Sequence, residues 1–539
     1  MTRLPVVRNL RFVVSILAFL AFLAGTPFAE AQQLPVVPGL YGWGTGTPAG
    51  RGGQIMRVTN LNASGPGSFR AAAEASGPRI VLFEVSGTIV LNDWIRITDP
   101  FITIAGQTAP SPGITIRGAG LRIMTHDVLV QHIRIRVGDL LNGPWAGARD
   151  AIEILSNNQD CYNIVIDHVS ASWAIDEIIS VYVPNQRFSS YDITIAHSII
   201  SEALMRGHPN PNHQSDGLLI GSTNGGTAAR ISFVRNILAH NNARNPTSQG
   251  APIAMINNLV WDWGGKCVLL RSEGRANISS IIGNVFLRSS QSSNNPPVQL
   301  ERSLQPGSAV YLEDNEAPGY SSVYFTEGNT GGFVTQTMPE VPPTMFPTIS
   351  SAIEARLLER AGARPLDRDA VDQRVAENVR LRRSGFINSQ SDVGGWPVLA
   401  ENVRPLIVPS DPHGDHDGDG YTNIEEWLHI FSDELDNELG VTSISDKTEL
   451  VVKGFAIDQN YPNPFNPATT INYAIQNDEW VNLTVFNLLG QPVATLVDGY
   501  QSAGEKSVVF DATDLSAGAY LYRMTVGDGT QTKRMLLVK

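Results

Sequence analysis

NIVIDHV at 163–169, YDITIAHSII at 191–200, ARISFVRNIL at 229–238, PIAMINNLVW at 252–261 and NISSIIGNVF at 277–286 share one frame. In each, alternating apolar residues run into one polar residue and then another apolar pair. The polar slot holds His168, His197, Asn236, Asn258 and Asn284, separated by 29, 39, 22 and 26 residues. A period of roughly 20 or more residues with larger insertions is what stacked coils of a parallel β-helix produce, because each coil holds two or three short strands and its turns can grow outward. Asparagines recurring in one slot predict an internal ladder that satisfies turn backbone groups. A β-sandwich or propeller is the rival, but their strands come as hairpins, and hairpin dipeptides are few between these runs.

Outward from this region, LNASGPGSFRAAAEASGPR at 61–79 predicts a turn and a short helix that would cap the open end of the stack, where bare strand edges invite association. AIEARLLERAGA and RDAVDQRVAENVRL, within 350–387, turn helical in character and are expected to fold back over the strands before SDVGGWP closes the large domain near 398.

The chain has 539 residues, enough for a large core and two or three units. Only 17% of residues are charged and the net charge is −13, which argues against nucleic acid as the partner. An anionic polymer stays open if basic side chains gather in one cleft. Residues 1–31 carry Arg3, Arg8 and Arg11, then FVVSILAFLAFLAG, then Ala29-Glu30-Ala31, the pattern of a signal peptide. The mature chain is thus expected outside the cytoplasm, with no transmembrane segment. Cys161 and Cys267 are the two cysteines; a disulfide and a pair of buried thiols are both compatible with that count.

Two shorter segments follow the large domain. DPHGDHDGDGYTNIEEWL at 411–428 puts Asp415, Asp417 and Asp419 at positions 1, 3 and 5 of a loop, Gly420 at 6, Tyr421 at 7 and Glu426 at 12. That is the spacing of an EF-hand-like calcium loop, read over 411–430. From 455 to 539, TINYAI, VNLTVFNLLG, SVVFDA and AYLYRMTV alternate between turn residues and predict a small β-sandwich.

Several stretches within 35–400 resemble the pectate lyase family, polysaccharide lyase family 1. They are RGGQIMRVTNLNASGPGSFRAA at 51–72, GARDAIEI at 147–154, IVIDHVSASWAIDE at 164–177, AHNNARNP at 239–246 and the VGGWP end. The resemblance implies an all-β chain built on a right-handed parallel β-helix, an acidic, pectate-like polysaccharide as substrate, and Ca2+ as cofactor. The C-terminal segment resembles a type IX secretion sorting domain in NYPNPFNPATTINYAI (460–475), VFNLLGQPVATL (485–496) and LSAGAYLYRM (515–524). This implies the type IX machinery as a partner and a secreted or outer-surface location. A carbohydrate-binding sandwich is the alternative there, and it would need exposed aromatic side chains.

β-Elimination on a uronate needs a base at C5, positive charge beside the adjacent carboxylate, and departure of the O4-linked sugar. A hard cation held by protein acids can meet the second need. By resemblance, Arg244 matches the family arginine that abstracts the proton, and Asp150 and Asp176 match the acids that hold calcium on successive coils. Glu177 is the candidate if the frame shifts by one. Asp167 either completes the set or accepts hydrogen bonds in a turn. The sequence departs from the family in two places. Gln249 stands where a second basic residue is common, so Arg271 or Arg275 is the expected substitute. No lysine occurs in 202–221, where His208 and His213 stand with Arg206; His213, directly before GLLIG, is the stronger candidate. Histidine can bond a carboxylate or donate to a leaving oxygen near neutrality. Two competing classes remain: a non-catalytic glycan-binding β-helix, which would not need Arg244, and a β-helix glycoside hydrolase, which would need two carboxylates as acid and nucleophile or base.

Overall fold

The computed structural model describes residues 34–436 and 455–538, apart from 141, 211–215, 340, 343–344 and 346 in the first stretch and 458–459, 461–464, 476–477, 488–491, 517 and 527–528 in the second. The leader read at 1–31 lies outside the described residues. Two compact units divide the chain, Met1–Glu438 and Leu439–Lys539.

Among the described residues of the first unit, short strands pair in parallel into sheets of eleven, nine and eight strands. Each coil contributes a strand to more than one sheet, and each sheet gains its next strand one coil later. Thus Cys161–Asp167 pairs with Ser189–Ala196, then Thr227–Val234, then Ile253–Ile256. Register stacks Ile166, Ile195, Phe233, Met255 and Ile281 along the interior, all buried. β-Branched residues suit such rungs because their stiff side chains pack on a pleated surface. This is the expected parallel β-helix.

The asparagine ladder is present. The Asn236 amide N–H donates to Asn258 Oδ1 at 2.9 Å, Asn258 N–H to Asn284 Oδ1 at 2.8 Å, and Asn284 N–H to Asn315 Oδ1 at 3.0 Å. His168 and His197 are not in that row, contrary to the frame read from the sequence. Strand register sets them level with Arg235, Asn257 and Gly283, and this column has φ of 49, 46, 57, 56 and 65°. The turn holds two adjacent polar positions, one left-handed and outside, the next carrying the internal ladder; spacing alone does not separate them.

The helix expected within 61–79 spans Phe69–Ala73, with the Ser68 side chain accepting from the Ala71 N–H at 3.2 Å and Phe69 buried beside Phe83. Helices Ile353–Arg360 and Ala370–Arg380 fold back over the coil, burying Leu357, Val375 and Val379 against Ile199, Ile237 and Leu259. Below them the buried Arg136 guanidinium pairs with Asp369 at 2.9 Å and Asp372 at 2.7 Å. The acidic segment read at 411–430 leads into helix Asn423–Asp436, whose Ile424, Leu428 and Phe431 pack on Ile80, Leu82 and Ala105 of the coil. Cys161 and Cys267 are both free and buried.

The second unit is antiparallel, with sheets of three and four strands among its described residues. Strand Ala468–Ile475 alternates, burying Ile471, Tyr473 and Ile475. On its four-strand sheet Trp480 and Tyr500 sit opposite each other and are both exposed. Among the described residues no helix is long and apolar enough to cross a membrane.

Candidate active site

The candidate residues gather at the leading edge of the nine-strand sheet. Asp150 lies two residues before strand Ile152–Leu155, Glu177 opens strand Glu177–Val183, Asp216 opens strand Asp216–Ser222, and Arg244 lies three residues before strand Thr247–Gln249. The register pairs Ile152 with Ile179 and Glu177 with Asp216, and a bridge joins Asp216 to Ala243. Asp150, Glu177 and Asp216 therefore occupy one row on three successive rungs, and on the fourth Arg244 directly follows Ala243, the residue bridged to Asp216. Rungs spaced by about 4.8 Å bring such side chains into mutual reach.

Asp150, Asp176 and Glu177 each bring a carboxylate oxygen within 4.8 Å of the others. Asp176 precedes the row by one residue yet joins the cluster. Asp150 accepts from the Glu177 N–H at 3.2 Å and the Ser180 hydroxyl at 2.5 Å. Burial, then the charges of Asp176 and Glu153, push its pKa well above the usual carboxylate range. Burial, then Asp176, push Asp216 up to about 7. Buried acids that disfavour one another's ionisation suit a hard divalent cation, which would neutralise them together.

Arg244 rests against Glu177, and its Nε lies 3.3 Å from Asp216 Oδ2. Burial lowers its pKa, while Asp176 and Asp150 pull the other way. Gln249 pairs in register with Arg271 on the next rung, so Arg271 lies in line with the position that lacks the second basic residue. Arg275 instead donates to the Gly225 carbonyl at 3.2 Å. His208 Nε2 lies 3.5 Å from Asp176 Oδ1, and His213 lies outside the described residues. On the outer face beside Asp150, Arg122 Nε meets Glu153 Oε2 at 2.5 Å.

Asp167 does not join this site. It ends a strand of the eleven-strand sheet and accepts from Gln131 at 3.0 Å, with His168 Nδ1 at 3.0 Å and His197 Nδ1 at 2.8 Å. Asp216 was not among the residues singled out from sequence; its signal is an acid in the strand-opening position that Glu177 also holds.

In the acidic loop, Asp415, Asp417 and Asp419 bring carboxylate oxygens within 4.8 Å of one another. Asp415 accepts from the Gly418 and Gly420 N–H groups at 2.7 and 3.0 Å, and Gly420 has φ 98°. Glu426 has its pKa raised, by burial first and then by Asp417, Asp419 and Asp415. The three aspartates thus face a common point on the loop, and Glu426 lies near enough to feel their charge.

Residues 459–539 match the secretion system C-terminal sorting domain. The chain is 30% identical over 452 residues to the probable pectate lyase C of Aspergillus fumigatus, covering 82% of this chain and 96% of that protein. It is 29% identical over 469 residues to the probable pectate lyase C of Aspergillus flavus, covering 85% and 100%. Among solved structures, a pectate lyase from Bacillus sp. N165 in complex with trigalacturonate shares 15% identity, covers 60% of this chain and 98% of that one, and gives a TM-score of 0.41.

Proposed function

The chain belongs to the pectate lyase family, and on that premise we propose that it cleaves polygalacturonate, or a related polyuronate, by calcium-assisted β-elimination. The lyase class follows from the family. The sorting domain makes the protein a secreted or outer-surface one, and we assign its export to the type IX machinery.

The observation that carries the mechanism is the sheet edge at which an acid cluster and a guanidinium meet, Arg244 against Glu177. Asp150 and Asp176, with Glu177 beside them, would hold calcium. Calcium held there would supply fixed positive charge beside the uronate carboxylate as C5–H breaks. Arg244 takes the C5 proton. Arginine is a poor base by its ordinary pKa, but burial already lowers this one, and the opposing pull comes from Asp176 and Asp150, the acids that a cation would neutralise. Arg271 contacts a substrate carboxylate in place of the missing basic residue at Gln249. His208, beside Asp176, and His213 are the candidates to steady the substrate or the leaving oxygen.

Asp415, Asp417, Asp419 and Glu426 would hold a second calcium that fixes the loop at the start of helix Asn423–Asp436 and has no part in the chemistry. Mass analysis of the fragments from polygalacturonate, methylated pectin and other polyuronates tests the reading. Elimination leaves one new fragment end lighter by a water than hydrolysis does; saturated ends throughout would point to a hydrolase, and no fragments to a binding protein.

A further inference from the structure

The left-handed turn column described above carries chemistry that the cleavage site does not use. His132 and His168 stack with ring centroids 4.9 Å apart, and His168 and His197 at 4.7 Å. On the next rung the column continues with Arg235, which lies over the Tyr41 ring at 5.0 Å. Its Nε is buried and has no hydrogen-bond partner among the described residues.

A cavity of about 330 Å³ opens beside this column, closed by residues 37–40, by helix Ile353–Arg360 and by helix Asn423–Asp436. Arg235, Arg356 and Arg360 all line it. Among the described residues, Arg235 and Arg356 have no carboxylate within 4.0 Å, and Arg360 reaches only its neighbour Glu359, at 4.0 Å. Two of the acids in the wall are already engaged: Asp167 with His168 and His197, and Asp436 with His168 at 3.3 Å. Asp433, exposed at the rim, is the remaining one. Ring nitrogens of the histidines and the two engaged acids come close enough to hold a metal ion, but the nitrogens already have protein partners: His132 meets the Ala363 carbonyl at 2.9 Å and Ser432 Oγ at 3.0 Å, and His168 meets Asp167 and Asp436.

We propose that this cavity binds a small oxyanion, carboxylate or phosphate, between the guanidiniums of Arg235, Arg356 and Arg360. Planar forks of N–H donors match the paired oxygens of either group. Three guanidiniums facing one space repel each other, and an anion among them reverses the sign of that interaction. His197 takes part as well: its Nδ1 is held by Asp167 at 2.8 Å, which leaves Nε2 as the atom that a bound anion would turn into a donor. The site lies on the turns after the eleven-strand sheet, away from the sheet edge that holds Arg244, so the two are separable.

The test is calorimetry and thermal melting of the full chain in calcium-free buffer at fixed ionic strength, titrated with inorganic phosphate and, separately, with galacturonate. Saturable binding with a rise in Tm is expected from at least one, retained in Arg244→Ala and weakened at least ten-fold in Arg356→Gln and Arg235→Gln. Phosphate alone would identify an inorganic ligand; galacturonate, a sugar acid of the kind that cleavage releases. Arg356 is exposed, so its replacement keeps the fold even where Arg235→Gln does not. Nuclear magnetic resonance adds a second reading, since the bound anion should move the His197 titration upward. No saturable binding of either ligand, or binding unchanged in Arg356→Gln, overturns the proposal.

Discussion

The Arg244 guanidinium rests on the Glu177 carboxylate although the two residues stand two rungs apart, with Asp216 on the rung between them. The arginine leans along the row toward the acids. The proposed base and the proposed cation site are therefore in contact within one stack of strands, and a change at either is felt by the other.

Arg244→Ala should lower kcat by about 1000-fold or more, within the range for loss of a positioned acid or base. Melting in calcium should stay within a few degrees of wild type, since a bound cation would offset the acids that Arg244 pairs with. Steady-state kinetics beside a thermal melt checks both; normal turnover would remove Arg244 from the chemistry.

Asp150→Ala and Asp176→Ala should each raise the calcium needed for half-maximal rate by at least about 10-fold, since loss of even an outer-shell partner costs that much. Calcium titration of the initial rate provides the measurement. A calcium response unchanged in both variants would place the ion elsewhere.

Asp216 gives a pH signature. Its folded pKa, about 7 through burial and Asp176, lies above the unfolded value of about 3.9. Between these values the folded chain binds a proton that the unfolded chain has released, so stability falls as pH rises from about 4 to about 7 and is not regained above it. Asp216→Asn should abolish that decline, of which about 2.5 kcal/mol falls between pH 5 and pH 8. Urea unfolding in calcium-free buffer at pH 5 and pH 8 measures it, and an equal pH dependence in both proteins would contradict the assignment.

Asn258→Ala should cost about 3 kcal/mol. Asn258 accepts from the Asn236 N–H at 2.9 Å and donates to the Phe233 carbonyl at 2.9 Å and to Asn284 Oδ1 at 3.0 Å, all buried. Its loss strands at least two polar groups without water. Equilibrium unfolding reads the change, and a cost below about 1 kcal/mol would show that the ladder is dispensable.

Asp417→Ala should abolish part of the calcium-induced rise in Tm while leaving kcat at saturating calcium unchanged, because the loop acts through the packing of helix Asn423–Asp436. A fall in kcat without loss of stability would bring the loop into catalysis.

The rungs themselves were legible because β-branched alternation and repeated asparagines are local signals. The one-residue slip at His168 and His197 arose because adjacent turn residues face opposite ways, and only strand register tells which is which. Asp150, Asp176 and Arg244 stand out through motifs, and the structure gathers all three at one edge of the nine-strand sheet. Asp216 escaped since an Asp-Gly pair reads as a turn. The contacts of helix Asn423–Asp436 with the histidine column, Ser432 with His132 at 3.0 Å and Asp436 with His168, join residues about 270–300 positions apart and leave no trace in local pattern.

Ultraviolet absorbance of a new C4–C5 double bond, followed while the full chain acts on polygalacturonate under a calcium titration, tests the central claim most directly. Absorbance should climb with calcium and stop on addition of a chelator. Shortening of the polymer with no such absorbance, or absorbance indifferent to chelation, would contradict it.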